Sequence, residues 1–98
     1  MWKYYIDKNR NEIYMTDERW EHIIERHPEM EDYQEYIEKI IKNGKREQDP
    51  LDPNKYTYYL FFDNLPNRNT QIVVLVKMGY NNDGKQNNFV ITAFMRRR

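Results

Sequence analysis

Both histidines of the 98-residue chain, His22 and His27, stand in one short segment, RWEHIIERHPEM, with Arg26 between them. Imidazole groups accept and donate protons near neutral pH, which suits them to acid–base chemistry. The question is whether the two histidines serve one site or two separate purposes. The pair does not fit a zinc site, because the spacing differs from His-x-x-x-His and the chain has no cysteine to complete one.

Each histidine also has a structural explanation that needs no chemistry. On a helical wheel His27 falls with the apolar Trp20 and Ile23, at a helix end where the helix dipole favours positive charge. His22 falls roughly opposite Trp20, on the same side as Arg26, where a solvated side chain is expected. The alternative to a shared site is therefore structural. His27 would be a hydrogen-bonded residue at the helix end, and His22 would be an exposed surface residue.

Two further polar residues interrupt apolar strand patterns. Lys77 ends the run IVVLVK, and Thr92 lies within FVITAF. The interruptions make both residues candidates for a site. The alternatives are a lysine that simply reaches solvent from a strand end and a threonine that favours extended backbone.

The formal net charge is zero, but positive and negative residues are unevenly distributed. Residues 17–38 contain nine acidic residues against two arginines, a net charge of −7. Residues 77–98 contain five basic residues against one aspartate, a net charge of +4, and three of the five are Arg96, Arg97 and Arg98. These stretches are either ordinary solvated faces or include a local cationic surface for phosphates.

The length and composition limit the class of protein. The 98 residues fit a single domain, residues 1–98, and the absence of cysteine excludes disulfides and thiolate nucleophiles. No apolar run approaches the ~20 residues of a membrane span, and the start, MWKYYIDKNR, lacks the basic and apolar regions of a signal peptide. We therefore expect a cytoplasmic protein that has no membrane partner.

The helical part of the chain is marked by capping residues and a proline. Thr16 or Asp17 should cap a first helix, and Pro28 should end it, because the residue before a proline avoids helical backbone. A second helix should begin at about residue 29 or 31 and end at residue 43, where Gly44 suits its C-terminal cap.

Strand patterns flank the two helices. WKYYID and EIYMT around a polar turn indicate an N-terminal hairpin, and residues 56–62, 71–78 and 87–95 indicate three later strands joined by hairpin loops. REQDPLDPNK, which follows the second helix, should be irregular, although its first residues could form a short edge strand. The order predicts an α+β fold, with an N-terminal hairpin and two helices packed on one face of an antiparallel sheet of about four strands.

These segments resemble the small phage- and toxin-associated members of the barnase–EndoU–colicin–RelE-like (BECR) nuclease superfamily. The resemblance rests on MTDERWEHIIERHPEM, the IVVLVK strand and the closing VITAF strand, and it extends from about Met15 to Phe94. The family fold has one or two N-terminal helices followed by a four-stranded antiparallel sheet. The resemblance therefore implies a single BECR-like domain to which the N-terminal hairpin is an addition.

The resemblance implies metal-independent cleavage of RNA, usually tRNA or another structured RNA, by attack of a ribose 2′-hydroxyl on the adjacent phosphate. By the same resemblance His22, Arg26 and His27 match the helix motif, Lys77 the central strand and Thr92 the closing strand. His27 or His22 would then act as base or acid, Arg26 and Lys77 would contact the phosphate, and Thr92 would position it.

Further RNA contacts are expected from Arg46, after the second helix, and from Arg96, Arg97 and Arg98. The resemblance implies an RNA substrate and no cofactor, and it allows a neutralising protein partner. The chain is expected to be a monomer or a weak homodimer. We favour the enzyme; the alternative is a catalytically inactive binding module of the same fold that contacts protein or nucleic acid.

Overall fold

One sheet of six strands organises the chain, and the computed structural model describes residues 2–98 of it. Within that range the elements, in chain order, are β1 (Trp2–Ile6), β2 (Glu12–Thr16), α1 (Asp17–Arg26), a 3₁₀ helix (Pro28–Tyr33), α2 (Tyr36–Asn43), β3 (Lys45–Gln48), β4 (Lys55–Phe61), a second 3₁₀ helix (Pro66–Arg68), β5 (Gln71–Lys77) and β6 (Asn88–Arg96). The fold is α+β, as the sequence predicts.

The sheet is larger and less regular than the sequence predicts. Its strand order is β1-β2-β6-β5-β4-β3, so six strands are present where about four were expected. The number is higher because the N-terminal hairpin and the short β3 both join the sheet. Among the described strands, β2 and β6 pair in parallel and the other neighbours pair antiparallel, so the sheet is mixed rather than antiparallel.

The first helix has the predicted ends. The backbone N–H of Arg19 donates a hydrogen bond to the Thr16 hydroxyl (3.1 Å), which makes Thr16 the N-cap. The helix ends at Arg26, and His27 already has non-helical backbone angles (φ −129°, ψ 71°). Pro28 therefore sets the direction in which His27 leaves the helix.

The second predicted helix is divided into two. Pro28–Tyr33 forms a 3₁₀ helix, whose first position suits proline because the missing N–H would have no partner there, and α2 begins only at Tyr36. Ile37, Ile40 and Ile41 of α2 are buried, whereas Tyr36 is exposed. The three isoleucines thus form the buried face of this helix.

The sheet is strongly curled. α2 contacts β1, β4 and β5, although three strands separate β1 from β4 in the sheet. The buried side chains of α2 belong to one apolar cluster with Tyr5 of β1, Tyr58 of β4 and Ile72 of β5. A direct contact closes the curl, since the Tyr58 hydroxyl donates a hydrogen bond to the carboxylate of Asp7, just after β1.

Gly44 follows α2 at a point where the backbone leaves no room for a side chain. A Cβ at this position would lie 2.4 Å from the carbonyl oxygen of Ile40 and 2.7 Å from that of Tyr59. Both are backbone atoms, which cannot rotate away. We expect Gly44→Ala to lower the free energy of unfolding by about 2 kcal/mol, as overpacking does in other cores, in urea unfolding followed by circular dichroism.

Gly79→Ala is the matched control for this prediction. The nearest atom to a Cβ at Gly79 is the carbonyl oxygen of Asn87 at 3.8 Å, which is an ordinary contact. The free energy of unfolding should therefore change by less than about 0.5 kcal/mol. Equal losses in the two variants would contradict the steric explanation.

Candidate active site

A groove opens beside β6 where this strand parts from β2. The two strands pair through only two residue pairs, Ile13 with Asn88 and Tyr14 with Phe89. Further along, β6 is flanked by α1, which contacts it. The groove between α1 and β6 has a volume of about 530 Å³, within the usual range of small-molecule sites.

This groove brings together most of the catalytic residues predicted from the sequence. Its lining residues are Arg19, His22, Ile23, Arg26, His27, Ile91 and Thr92. Of the five catalytic candidates, Lys77 alone is absent from the lining. Arg19 joins the groove without having been predicted, although its spacing carried a signal. Arg19, His22 and Arg26 recur at i, i+3 and i+7, which is one face of a helix.

The two histidines share the groove because His27 has left the helix. Its N–H still donates to the Ile23 carbonyl oxygen (2.7 Å), but its non-helical backbone redirects the side chain. The imidazole centroid lies 5.7 Å from that of the Phe94 ring, and Nδ1 lies 3.8 Å from Oε2 of Glu29. The helical wheel places the two histidines on opposite sides of α1. This prediction is wrong because His27 lies beyond the last helical residue, where helical spacing no longer applies.

The arginines of the groove are available to bind an anion. Arg19 and Arg26 are exposed, and within residues 2–98 neither forms a salt bridge or a cation–π contact. The His22 side chain beside them is exposed as well. Two unpaired guanidiniums next to two imidazoles form a surface that suits a phosphate group.

Lys77 lies outside the groove, at the end of β5. Its ammonium donates a hydrogen bond to the carboxylate of Asp52, and this bond holds the pKa of Asp52 below its usual value. Leu75, two residues earlier, is the strand partner of Thr92, and a bulge follows it. Lys77 is thus about 7 Å further along the strand than the position opposite Thr92. Its role in the same site stays a prediction.

The arginines at the end of β6 make contacts within the protein. Arg96 donates a hydrogen bond to the Gln71 side chain, and the Arg97 guanidinium donates to the carbonyl oxygen of Asn67 (2.9 Å). Arg98 is exposed. None of the three lines the groove between α1 and β6. Their predicted contact with RNA would therefore lie outside this groove.

Arg46 lies in a second groove, of about 540 Å³, at the curl of the sheet. Its guanidinium is 4.6 Å from the centre of the Tyr56 ring, and its Nη1 is 3.7 Å from Oδ2 of Asp7. Asp7 is only 6% exposed and also accepts hydrogen bonds from the Tyr58 hydroxyl and from the backbone and side-chain amides of Asn11. The predicted phosphate contact of Arg46 thus competes with a buried carboxylate.

Hydrogen bonds set the ionisation of this second cluster. Burial raises the pKa of the Asp7 carboxyl, but the hydrogen bonds from Tyr58 and Asn11 outweigh it and leave the pKa below its usual value. Burial and the same hydrogen bond raise the pKa of the Tyr58 hydroxyl. Because the carboxylate already has its partners, the cluster is best explained as a structural contact between β4 and the end of β1.

No metal centre or membrane span accompanies the groove in the part of the chain that the structure describes. Among residues 2–98, no three acidic, histidine or cysteine side chains lie close enough to hold a metal ion, and no helix has the length and apolarity to cross a bilayer. Comparisons with protein-family models, with curated proteins and with solved structures give no match to this chain. The functional argument therefore rests on the groove itself.

Proposed function

We propose that this chain is a metal-independent endoribonuclease that cleaves RNA in the groove between α1 and β6. One observation carries the proposal: two histidines, two arginines without a salt bridge among residues 2–98, and a threonine line the same groove. Attack of a 2′-hydroxyl on a phosphate needs a base, an acid and a cation, and these groups supply all three. The resemblance to BECR nucleases supports the same reaction.

Each groove residue has a role in the proposed reaction. His27 removes the proton of a ribose 2′-hydroxyl, whose oxygen then attacks the adjacent phosphorus. His22 donates a proton to the departing 5′-oxygen, so the products are a 2′,3′-cyclic phosphate and a free 5′-hydroxyl. Arg19 and Arg26 stabilise the negative charge of the phosphorane. The Thr92 hydroxyl positions the phosphate by a hydrogen bond.

We assign the base to His27 because two neighbours hold its ring. Phe94 contacts the ring, and the Glu29 carboxylate lies 3.8 Å from Nδ1, on the side of a proton at that nitrogen. We therefore assign proton acceptance to Nε2. The exposed His22 lacks such neighbours among residues 2–98, and it can reach a leaving group at the open side of the groove. The assignment therefore gives the fixed histidine the step that requires closer alignment.

The histidine groove suits a phosphate better than the groove at Asp7 does. In the second groove Arg46 faces a buried carboxylate, which repels an anion. α1 also carries Glu18, Glu21 and Glu25, but none of them lines the histidine groove. A phosphate in the histidine groove would meet guanidinium and imidazole groups without a lining carboxylate.

The test is cleavage of bulk tRNA and of a defined oligoribonucleotide by purified protein in EDTA. We expect cleavage that EDTA does not slow, with 2′,3′-cyclic phosphate ends detected by mass spectrometry. Arg26→Ala should lower kcat/KM about a hundredfold, because the phosphorane loses a charged partner. Lys42→Ala, which removes an exposed cation from α2, is the matched control and should change nothing.

The same assay also tests the role of Lys77 and separates a nuclease from a binding module. A loss in Lys77→Ala as large as that in Arg26→Ala would extend the site beyond the groove, as the resemblance implies, whereas unchanged cleavage would leave Lys77 outside it. If the wild-type protein binds the oligonucleotide but cuts neither RNA at high protein concentration, the chain is a binding module and the nuclease proposal is wrong.

A further inference from the structure

We infer that the outer face of the β1–β2 hairpin is a platform on which bases of single-stranded RNA stack next to the groove, an inference that rests on the proposed nuclease function. The platform is formed by four aromatic residues, Trp2, Tyr4, Tyr14 and Phe89, and is called the aromatic platform below. Trp2 and Tyr4 are 53% and 55% exposed. Contiguous exposed aromatic surface of this kind usually marks a binding site.

Strand pairing sets the rings of the aromatic platform side by side. Tyr4 is the partner of Tyr14 across β1 and β2, and Tyr14 is the partner of Phe89 across β2 and β6. Trp2 stacks on Tyr14 with ring centroids 4.7 Å apart and an angle of 9° between the ring planes. This contact fixes the Trp2 ring in advance and leaves its outward face open, so stacking of a base would cost little ordering entropy.

The aromatic platform leads directly to the proposed cleavage groove. A cavity of about 180 Å³ lies between Tyr14, Phe89 and Arg19, and Arg19 also lines the groove. Along β6, Phe89 precedes the groove residue Thr92 by three positions, which is about 10 Å of strand. An RNA strand with a phosphate in the groove could therefore place a neighbouring base on the platform.

Single-stranded RNA is the occupant that this combination favours. Proteins hold single strands by stacking bases on aromatic rings while cations contact the phosphates, and here the rings adjoin the unpaired Arg19. A base-paired helix would keep its base faces stacked inside the duplex and could not use the rings in this way. A second copy of the chain could cover the rings, but it would give no role to the arginine beside them.

The test uses a hexanucleotide with methylated 2′-oxygens, which can bind but cannot be cleaved. Trp2 is exposed, and the other tryptophan, Trp20, is buried. A base that stacks on Trp2 should therefore quench the fluorescence of Trp2 and leave that of Trp20 unchanged. We expect Trp2→Ala to remove the quenching and to weaken binding at least about tenfold in fluorescence anisotropy. Tyr80→Ala, which removes a ring that is 75% exposed but lies outside the platform, should do neither. Annealing the hexanucleotide to its complement should weaken its binding.

Substrate length separates this inference from the nuclease proposal. A dinucleoside phosphate can fill the groove alone, whereas a hexaribonucleotide also reaches the aromatic platform. Trp2→Ala should slow cleavage of the hexamer about tenfold and leave cleavage of the dinucleoside phosphate unchanged. Absence of all cleavage would overturn the nuclease proposal, while the binding assay would still report on the platform.

Two results would overturn the inference itself. The first is equal binding of the methylated hexanucleotide by wild type, Trp2→Ala and Tyr80→Ala, whether or not RNA is cut. The second is a Trp2-dependent dimer, detected by light scattering without RNA, because it would assign the aromatic platform to a second copy of the chain. Retention of the dinucleoside phosphate activity in the same samples would show that the groove had remained folded.

Discussion

Replacement of His27 by alanine is expected to lower the rate of RNA cleavage about a thousandfold and to leave the fold intact. A positioned general base contributes roughly 10²–10⁴ to a rate, and His27 has the most supported imidazole of the groove. The side chain is half-buried at a helix end, so the loss of its contacts should cost less than about 1 kcal/mol of stability. Single-turnover cleavage and thermal unfolding of the same sample measure the two effects.

The roles of the two histidines can be separated by changing the leaving group. A substrate with an activated aryl leaving group needs no acid, so His22→Ala should regain most of its activity on it. His27→Ala should stay impaired on that substrate, and free imidazole should restore part of its activity by entering the vacated space. Wild-type rates in both alanine variants would exclude the groove as the site of cleavage.

The largest effect on stability is expected from Asp7→Ala, at about 3 kcal/mol of the free energy of unfolding and roughly 15 °C in Tm. The substitution leaves the Tyr58 hydroxyl and the backbone N–H groups of Asn9 and Asn11 without their acceptor. It also removes the contact that joins β4 to the end of β1. Urea unfolding followed by circular dichroism measures the loss.

Two tyrosine variants provide a matched control for the Asp7 contact. Tyr58→Phe removes the hydroxyl that donates to Asp7 and should lower the free energy of unfolding by about 1–2 kcal/mol. Tyr5→Phe removes a buried hydroxyl that has no hydrogen-bond partner within residues 2–98, and it should be neutral or stabilising. Equal losses in the two variants would show that ring packing, and not the hydrogen bond, determines the stability.

The Asp7 contribution should also depend on pH. Because the pKa of Asp7 is lower in the folded protein than its ordinary value of about 3.9, the unfolded chain takes up the proton first as pH falls. The stabilisation is therefore complete above the ordinary value and declines as pH falls through the folded pKa. The difference in free energy of unfolding between wild type and Asp7→Ala should be smaller at pH 3 than at pH 7.

The elements of this fold are largely encoded by local sequence, but the sheet is not. Thr16 and Pro28 mark the ends of α1 because capping and proline chemistry act on neighbouring residues. The parallel pairing of β2 with β6 depends instead on two residue pairs between distant segments. No local pattern distinguishes a hairpin that stands apart from one that joins a sheet in this way, so the sequence predicts too few strands.

The candidate site likewise has features that follow from local sequence and features that depend on distant strand pairing. The face shared by His22 and Arg26 follows from helix geometry, and the departure of His27 follows from Pro28 once the helix end is known. The position of Lys77 depends on a bulge in the pairing of β5 with β6, which changes the register beyond Leu75. The Asp7 contact needs a curl of the whole sheet and has no counterpart in any sequence motif.

The pairing of β2 with β6 also determines when the groove can exist. The Asn88 side chain donates a hydrogen bond to the carbonyl oxygen of Glu12, a contact between positions 76 residues apart. Contacts of such separation form late, since a long loop must close first. During synthesis α1 emerges well before β6, which supplies Ile91 and Thr92 to the groove. The histidines are thus synthesised well before the strand that completes the groove, and the proposed nuclease would gain its full site only once β6 has been made.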